Sequence, residues 1–279
     1  MILVTGANGQ LGGDVCNYLQ GSGVPFIGTD IDTLDITDIK NTESFFDFHN
    51  VDCIIHCAAY TAVDKAEDEK EKCFLVNKTG TRNLAICAKR ANAKMLYIST
   101  DYVFDGKGEK PFEVYDPKGP LNIYGESKLK GEEAIKESCK RFFIVRTSWV
   151  FGEKNRNFIA TMLRLSETHS EVSVVCDQIG SPTYSKHLAK TVCAIARSEK
   201  YGIYHATNEG FCSWAELAAF AFETADKTTT VKPVQSSEYK TKAVRPCNSR
   251  LSKNSLDEGG FERLPDWKDA VREYLGSIF

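Results

Sequence analysis

Tyr124 and Lys128 are the residues whose types and spacing most directly suggest chemistry. They stand four residues apart in a segment with a helical pattern, which places the phenol and the ammonium on one helix face. The charge of Lys128 would favour the phenolate, so the pair can act as an acid towards a carbonyl oxygen. Thr100 ends the preceding predicted strand, and its hydroxyl could hold the same carbonyl. The alternative is an exposed start of an amphipathic helix, because this spacing often arises by chance.

A glycine-rich segment near residue 1 predicts a nucleotide site. Strand-forming residues 1–5 lead into three glycines at three-residue spacing, and a helical pattern follows. Glycines at such a turn let the backbone approach a pyrophosphate placed at the helix N-terminus. The alternative is merely a tight turn, since three spaced glycines are weak evidence by themselves. The expected cofactor contacts along this turn are Gly6, Asn8, Gly9, Gln10, Leu11 and Gly12.

Asp30 ends the second predicted strand, 18 residues after Gly12. An acidic side chain at this position accepts hydrogen bonds from an adenosine ribose. The next residues are Ile31, Asp32 and Thr33, so no Arg or Lys stands nearby to neutralise a 2′-phosphate. We therefore expect NADH to be preferred over NADPH, with an ordinary loop carboxylate as the alternative reading of Asp30.

The elements that must position these residues alternate between short β-branched runs and helical patterns. Strands are predicted over residues 1–5, 25–30, 51–59, 94–100 and 141–146, and helices over 9–20, 42–48, 70–91 and 122–139. Such alternation is typical of an α/β fold with a doubly wound, Rossmann-like parallel sheet. We expect residues 1–148 to form a dinucleotide-binding domain with a return segment near 185–200.

Residues 149–279 are expected to form mainly a smaller C-terminal α/β domain that binds substrate. Helices are predicted over 157–167 and 185–198, and strands over 172–176 and 202–208. Ser213 and Glu216 have the spacing of a capping box, which predicts a helix that runs to Ala225. After Lys227 three prolines punctuate the sequence, so a turn-rich tail is expected.

The composition is that of an ordinary globular protein, with 42% hydrophobic and 26% charged residues. Thirty-five basic residues nearly balance 38 acidic ones, and a net charge of −3 disfavours nucleic acid and anionic membranes as partners. No secretory signal or long apolar run is evident, so a cytoplasmic location is expected. Ten scattered cysteines without CxxC spacing are expected to be reduced packing residues rather than zinc ligands.

Several longer segments resemble the dTDP-4-dehydrorhamnose reductases, a branch of the extended short-chain dehydrogenase/reductase family. The resemblance covers nearly the whole chain. Sugar-nucleotide dehydratases of the wider family carry an acidic pair after the threonine, whereas Tyr102 follows Asp101 here. The matching segments are CAAYTAVDKAE (57–67), STDYVFDG (99–106), PLNIYGESKLKGE (120–132), RTSWVFG (146–152), NFIATMLRL (157–165), DQIGSPT (177–183) and RPCNSRL (245–251).

The resemblance implies hydride transfer from reduced nicotinamide to C4 of dTDP-4-dehydro-L-rhamnose, with a proton from Tyr124. It also implies that Lys128 lowers the pKa of Tyr124 and holds the nicotinamide ribose, while Thr100 bonds the reacting oxygen. Matching sugar-contacting positions are Thr100, Asp101 and Trp149. Matching cofactor-contacting positions are Gly9, Gln10, Leu11, Asp30, Asp35, Ile36, Ala58, Ala59 and Tyr60.

Some of these positions have simpler readings. Trp149 ends an apolar strand, where core or interface packing is the common role of tryptophan. Arg245 and Arg250 could grip a diphosphate in a bidentate manner, but arginines in a turn-rich tail are usually solvated. His56 lies within an apolar strand and is expected to be a core histidine.

One departure from the family concerns a metal. Some of these reductases form a magnesium-bridged dimer through an acidic residue on the first helix and another after the Pro-Thr turn. Asp14 fits the first position, but Lys186 stands at the second and cannot ligate magnesium at neutral pH. No structural magnesium is expected, and the chain should be a monomer or a metal-independent homodimer.

The sequence leaves two other functions open. One is a reductase or epimerase of another nucleotide-4-ketosugar. The other is a non-catalytic nucleotide-binding subunit, because a methionine adenosyltransferase regulatory subunit shares this fold. Intact Thr100, Tyr124 and Lys128 speak against the second, since a protein that only binds has no need of an acid.

Overall fold

A computed structural model describes residues 1–154 and 157–279. Short strands and amphipathic helices alternate along it, as the sequence pattern predicts. The strands are β1 (Ile2–Thr5), β2 (Phe26–Thr29), β3 (Cys53–His56), β4 (Lys94–Thr100), β5 (Phe142–Thr147), β6 (Val150–Phe151), β7 (Glu171–Val175), β8 (Ile179–Gly180), β9 (Thr183–Tyr184), β10 (Gly202–His205), β11 (Cys212–Ser213), β12 (Thr230–Val234) and β13 (Asn248–Ser249).

The helices follow the same bounds as the predicted ones to within a few residues in most cases. They are α1 (Gln10–Gly21), α2 (Ile39–Phe48), α3 (Val63–Ala66), α4 (Lys70–Phe74), α5 (Thr81–Arg90), α6 (Ile123–Ser138), α7 (Phe158–Ser166), α8 (Ser185–Arg197), α9 (Trp214–Thr224), α10 (Asn254–Glu258) and α11 (Trp267–Ile278).

The central sheet has six parallel strands in the order β10-β5-β4-β3-β1-β2. The chain winds from β1 outward to β2 on one side and from β3 outward to β10 on the other. The carboxyl ends of β1 and β3 therefore lie at the switch point of a doubly wound sheet, where ligands bind in such folds. The α/β class and Rossmann-like architecture expected from the sequence are confirmed.

Both faces of this sheet are covered. Val4 and Ile55 pack with helices α1 and α8 in one apolar cluster, whereas Leu3 and Ile54 pack with α5 and α6 in another. Neighbouring residues of a strand point to opposite faces, so a strand buried on both faces needs a continuous apolar run. This explains the apolar segments that predicted the sheet.

A second cluster of elements has its own core. Phe151, Leu163, Phe222 and Trp267 are buried there between α7, α9 and α11. Three small sheets accompany this core among the described residues. In the first, β8 pairs antiparallel with β11 and parallel with β13. The other two are the parallel pairs β12-β7 and β6-β9. The capping box at Ser213 is formed as predicted, with the Glu216 side chain bonded back to the Ser213 backbone.

Three local predictions need correction. The return segment is longer than 185–200, because β10 completes the central sheet beside β5. The predicted helix over 70–91 is interrupted by a π-helical turn, Leu75–Gly80. The tail after Lys227 contains the helices α10 and α11 and the strands β12 and β13 as well as turns. Pro233 lies in β12, and Asp266 caps α11 just after Pro265.

Within the described residues no helix is long and apolar enough to cross a membrane. Most cysteines are buried or half-buried, and none in the described part of the chain is paired in a disulfide, in keeping with the packing role expected from their scatter.

Helix α6 approaches its neighbours very closely at Gly131. A β-carbon at this position would lie 2.4 Å from the Tyr97 hydroxyl oxygen and 2.5 Å from the Asn77 carbonyl oxygen. At Gly276 in α11, by contrast, a β-carbon would meet no described atom within 4 Å.

We predict that Gly131→Ala lowers the free energy of unfolding by about 1–3 kcal/mol through overpacking. Gly276→Ala should raise it by about 0.5–1 kcal/mol, because alanine loses less entropy in a helix. Urea unfolding of both variants measures the difference, and equal stability of the two would contradict the described packing of α6.

Candidate active site

A cleft of about 840 Å³ lies at the carboxyl edge of the central sheet. Its walls come from the loops after β1, β2, β3, β4 and β5, the start of α6, and α9. Of the site residues predicted from the sequence, those lining the cleft are Gly6, Gly9, Gln10, Leu11, Gly12, Asp30, Asp35, Ile36, Ala58, Ala59, Tyr60, Thr100, Asp101, Tyr124, Lys128 and Trp149.

The glycine turn leaves no room for side chains. Gly6 has a left-handed backbone (φ +69°), and a β-carbon on Gly12 would lie 2.0 Å from the Gly6 carbonyl oxygen. Gly9 caps α1 with an extended backbone and without a side-chain cap bond, so the first amide groups of the helix face the cleft. Such a turn fits a pyrophosphate, which the amides and the helix dipole would stabilise.

Asp30 lies at the far end of this part of the cleft. Its carboxylate accepts hydrogen bonds from the backbone amides of Asn8 (3.1 Å) and Ile31 (2.9 Å). These bonds link the end of β2 to the glycine turn and fix the carboxylate at the cleft wall. Ile31 is 76% exposed beside it, so this end of the cleft is apolar and anionic.

Tyr124 lies in the first turn of α6. The Asn122 side chain caps the helix by accepting from the Gly125 amide at 2.8 Å. Burial and the nearby charge of Asp101 raise the pKa of Tyr124 above its usual value, which hydrogen bonding with Thr100 only partly opposes. The phenol is therefore protonated at neutral pH, the state that a proton donor needs.

Lys128 lies one turn further along α6 and is buried. Its ammonium donates to the Ile98 carbonyl oxygen at 2.6 Å and lies 4.0 Å from the centre of the Tyr97 ring. Burial lowers the pKa of Lys128 to about 7, an effect that the charge of Glu132 partly offsets. Burial is the largest influence on the pKa of both Tyr124 and Lys128, and the expectation that Lys128 lowers the pKa of Tyr124 stays a prediction.

Thr100 and Asp101 follow β4 directly. The Thr100 hydroxyl donates to one Asp101 carboxylate oxygen at 2.9 Å. The other carboxylate oxygen is buried without a hydrogen-bond partner among the described residues. Burial raises the pKa of Asp101 to about 6, although the nearby hydroxyls of Ser249 and Thr100 oppose the rise. A ligand with a hydroxyl group could donate a hydrogen bond to this second Asp101 oxygen, which no described residue bonds.

Trp149 closes the opposite end of the cleft. Its backbone is left-handed (φ +51°), a strained state for a bulky residue. Its ring stacks on Trp214 with centroids 3.7 Å apart and planes 13° from parallel. Sequence reasoning missed Trp214, although the capping box located the start of its helix. The missing information was that the second cluster folds back onto the end of β5.

The comparisons with known proteins agree with this geometry. A family model described as the RmlD substrate binding domain matches residues 1–278. The spore coat polysaccharide biosynthesis protein SpsK of Bacillus subtilis is 43% identical over 274 residues, which cover 98% of this chain and 96% of that protein. The dTDP-4-dehydrorhamnose reductase of Aggregatibacter actinomycetemcomitans is 38% identical over 284 residues, which cover 97% of each chain.

The chain belongs to the dTDP-4-dehydrorhamnose reductase family.

A solved structure extends the likeness to three dimensions. The dTDP-4-dehydrorhamnose reductase from Bacillus anthracis str. Ames, solved in complex with NADP, superposes with a TM-score of 0.96 at 39% identity. The match covers 99% of this chain and 98% of that one. The chain thus shares the fold of that reductase over nearly the full length of the matched chains.

Two residues expected at the substrate are placed elsewhere. Arg245 makes two bonds to the Asp64 carboxylate, at 3.1 and 2.7 Å, and Arg250 donates to the Asn248 side chain at 3.0 Å. Neither lines the cleft. Each guanidinium has a protein partner here, so the diphosphate grip stays a prediction that would require Arg245 and Arg250 to exchange these partners for the ligand.

His56 is the core histidine that was expected. It lies between the hydroxyls of Thr5 (2.7 Å) and Thr81 (3.1 Å), and burial followed by the charge of Lys128 lowers its pKa to about 3. It is therefore neutral and structural.

The residues at the family's magnesium positions do not fit a metal. Lys186 lies 3.3 Å from the Glu273 carboxylate, and Asp14 accepts a bond from the Ser185 hydroxyl at 2.5 Å. Burial raises the pKa of Asp14, which further disfavours a ligand carboxylate. At the two positions where some members of the family have acidic residues, this chain has one carboxylate, Asp14, and one cation, Lys186.

We predict that Tyr124→Phe lowers turnover by a factor on the order of 10² or more and leaves nicotinamide binding nearly unchanged, because only the phenolic hydroxyl that donates the proton is removed. Steady-state rates and a binding titration measure the two effects. Tyr204→Phe is the matched control, since that hydroxyl donates to the Lys200 carbonyl outside the cleft. Normal turnover of Tyr124→Phe would remove Tyr124 from the mechanism.

Proposed function

We propose that the protein reduces the C4 keto group of dTDP-4-dehydro-L-rhamnose to dTDP-L-rhamnose with hydride from NADH or NADPH. The observation that carries this proposal is the protonated phenol of Tyr124 beside Thr100, in the cleft that the glycine turn and the tryptophan pair also line. The names of the relatives support the substrate. Residues 1–148, with the return segment, bind the dinucleotide, and residues 149–279 mainly bind the sugar nucleotide.

Residues at the end of the cleft near β1 and β2 would hold the cofactor. The turn from Gly6 to Gly12 would bind its pyrophosphate and Asp30 its adenosine ribose, while Asp35, Ile36, Ala58, Ala59 and Tyr60 line the same wall. When bound, the reduced nicotinamide would supply the hydride. Lys128 would hold the nicotinamide ribose, and its charge is available at and below neutral pH.

The proton comes from the chain. Tyr124 donates its phenolic proton to the oxygen at C4 as that oxygen gains charge, and the Thr100 hydroxyl turns from Asp101 to donate to the same oxygen. Lys128, buried one turn below, stabilises the phenolate left behind. The buried surroundings exclude water and strengthen each of these interactions.

The sugar contacts Asp101 and Trp149. The open carboxylate oxygen of Asp101 accepts from a sugar hydroxyl, which would satisfy an otherwise unpaired buried acceptor. Trp149 presents an aromatic face that Trp214 holds flat. Tyr102 contacts the Tyr124 ring edge-on at 5.8 Å and occupies the place of the second acid in the dehydratases, so elimination of water lacks its base.

The first experiment follows oxidation of NADH with dTDP-4-dehydrorhamnose generated in situ, beside GDP- and UDP-linked 4-ketosugars. We expect oxidation with the dTDP substrate. Oxidation of another ketosugar alone would favour a different nucleotide-sugar reductase or epimerase. Tight NADH binding without any oxidation would favour the non-catalytic regulatory subunit.

We further predict a lower Michaelis constant for NADH than for NADPH, because Asp30 repels a 2′-phosphate and no cation neutralises it. The Bacillus anthracis relative was solved with NADP, so this prediction for the present chain runs against the cofactor found in that structure. Ile31→Arg, at an exposed position in the same wall, should lower the constant for NADPH selectively. Equal constants in the unchanged protein would defeat the argument from Asp30.

EDTA is expected to change neither activity nor molecular mass by light scattering, since Lys186 pairs with Glu273. A monomer or a metal-independent homodimer should be found in both conditions. A mass that falls by half on chelation would show that a metal joins two copies through other residues.

A further inference from the structure

Glu132 shares one face of α6 with Tyr124 and Lys128. The three residues are spaced by four along the helix, so they lie one above another towards the sheet. Glu132 and Arg146 of β5 have side chains with 0% exposure. Charged side chains are almost never fully buried unless they are paired, so this position needs an explanation.

The two side chains form a two-point ion pair that further hydrogen bonds support on both sides. Arg146 Nε donates to Glu132 Oε1 at 2.8 Å and Nη2 donates to Oε2 at 2.7 Å. The Ser99 hydroxyl donates to Oε1 at 2.7 Å, and Arg146 Nη1 donates to the Val114 carbonyl at 2.8 Å. Although burial alone would raise it, the bonds from Arg146 and Ser99 hold the pKa of Glu132 below its usual value.

These bonds join the three elements that carry the reaction. Ser99 directly precedes Thr100 at the end of β4, and Arg146 stands three residues before Trp149 at the end of β5. Glu132 lies on the helix that carries the proton donor. We propose that Glu132 and Arg146 are a positioning pair that holds Tyr124 and Lys128 in register with Thr100.

The inference rests on the proposed function, in which Tyr124 and Lys128 act on cofactor and substrate. A role in stability alone explains the pair poorly, because buried ion pairs are often replaced by apolar residues without loss of stability. The charge of Glu132 also acts on Lys128 directly and raises its pKa against burial. The groups that face Lys128 are His56, Cys57, Cys73, Tyr97, the Ile98 carbonyl and Glu132, and His56 is neutral.

The test is Glu132→Gln, which preserves shape and removes the charge. We expect kcat to fall about tenfold or more with little change in the Michaelis constant of the nicotinamide. Loss of the negative charge lowers the pKa of Lys128, so Lys128 loses its proton at lower pH. The alkaline limb of the rate profile should therefore move down by about one pH unit.

Glu133→Gln is the matched control. Glu133 is the neighbouring residue, is 43% exposed and pairs with Lys130, so its loss should leave the rate and the pH profile unchanged. Glu132→Gln leaves the buried guanidinium of Arg146 without its carboxylate partner, which could destabilise the fold. The double variant Glu132→Gln with Arg146→Met avoids this unpaired charge and provides a second test. It removes both charges, and the alkaline limb should move in the same direction by a smaller amount, because the Arg146 cation that opposes the charge of Lys128 is removed as well.

The outcomes separate this inference from the proposed function. Rates that fall only in proportion to the folded fraction, with an unmoved pH profile in both variants, would overturn the positioning role. If the unchanged protein reduces none of the ketosugars, the proposed function fails. The pH dependence of NADH binding, followed by fluorescence, then tests the pair, and an unshifted dependence in the double variant would overturn it.

Discussion

The close contact between α6 and the end of β4 is the constraint on which the site depends. Gly131 lets the helix lie directly on Tyr97 and the π-helical turn, and Lys128 bonds to the Ile98 carbonyl. Any separation of helix and sheet would move the phenol and the ammonium away from Thr100. The buried bonds between Glu132, Arg146 and Ser99 fix the same two elements one turn further along. The close packing at Gly131 and the buried bonds of Glu132 therefore hold the same contact between α6 and β4.

Burial gives the site its chemical state. Desolvation disfavours the charged form of every group, so the phenol retains its proton and the lysine is close to losing one. For a reduction this is a useful combination, because the donor must be protonated before the hydride arrives. The charge of Glu132 opposes the effect of burial on Lys128. In the proposed reaction this charge would connect a residue deep in α6 to the reacting atoms.

Much of the fold and of the cofactor end could be predicted from the sequence, because both rest on local signals. Apolar runs show strands buried on two faces, and the glycines at 6, 9 and 12 have a steric cause that acts within the turn itself. The resemblance to a family supplied the sugar end. Three features could not be read locally: the partner of Trp149, the ion pair between Glu132 and Arg146, and the position of Arg245. Each depends on elements distant in the chain that only folding brings together, and a turn-rich sequence gave no sign that Asp64 would hold Arg245.

The contact between Arg245 and Asp64 is one of those that join the second cluster of elements to the elements around the central sheet. Arg245 binds Asp64 of α3, and the Asn122 side chain that caps α6 also donates to the Val244 carbonyl at 2.8 Å. The segment around residue 245 thus reaches from the second cluster to the N-terminus of the helix that carries Tyr124. Trp214, from the same cluster, supports Trp149 at the other side of the cleft. The second cluster therefore contacts the reacting centre from two sides. A sugar nucleotide seated against Trp149 would rest on the same framework that sets the start of α6, so substrate fit and the position of the proton donor depend on shared contacts.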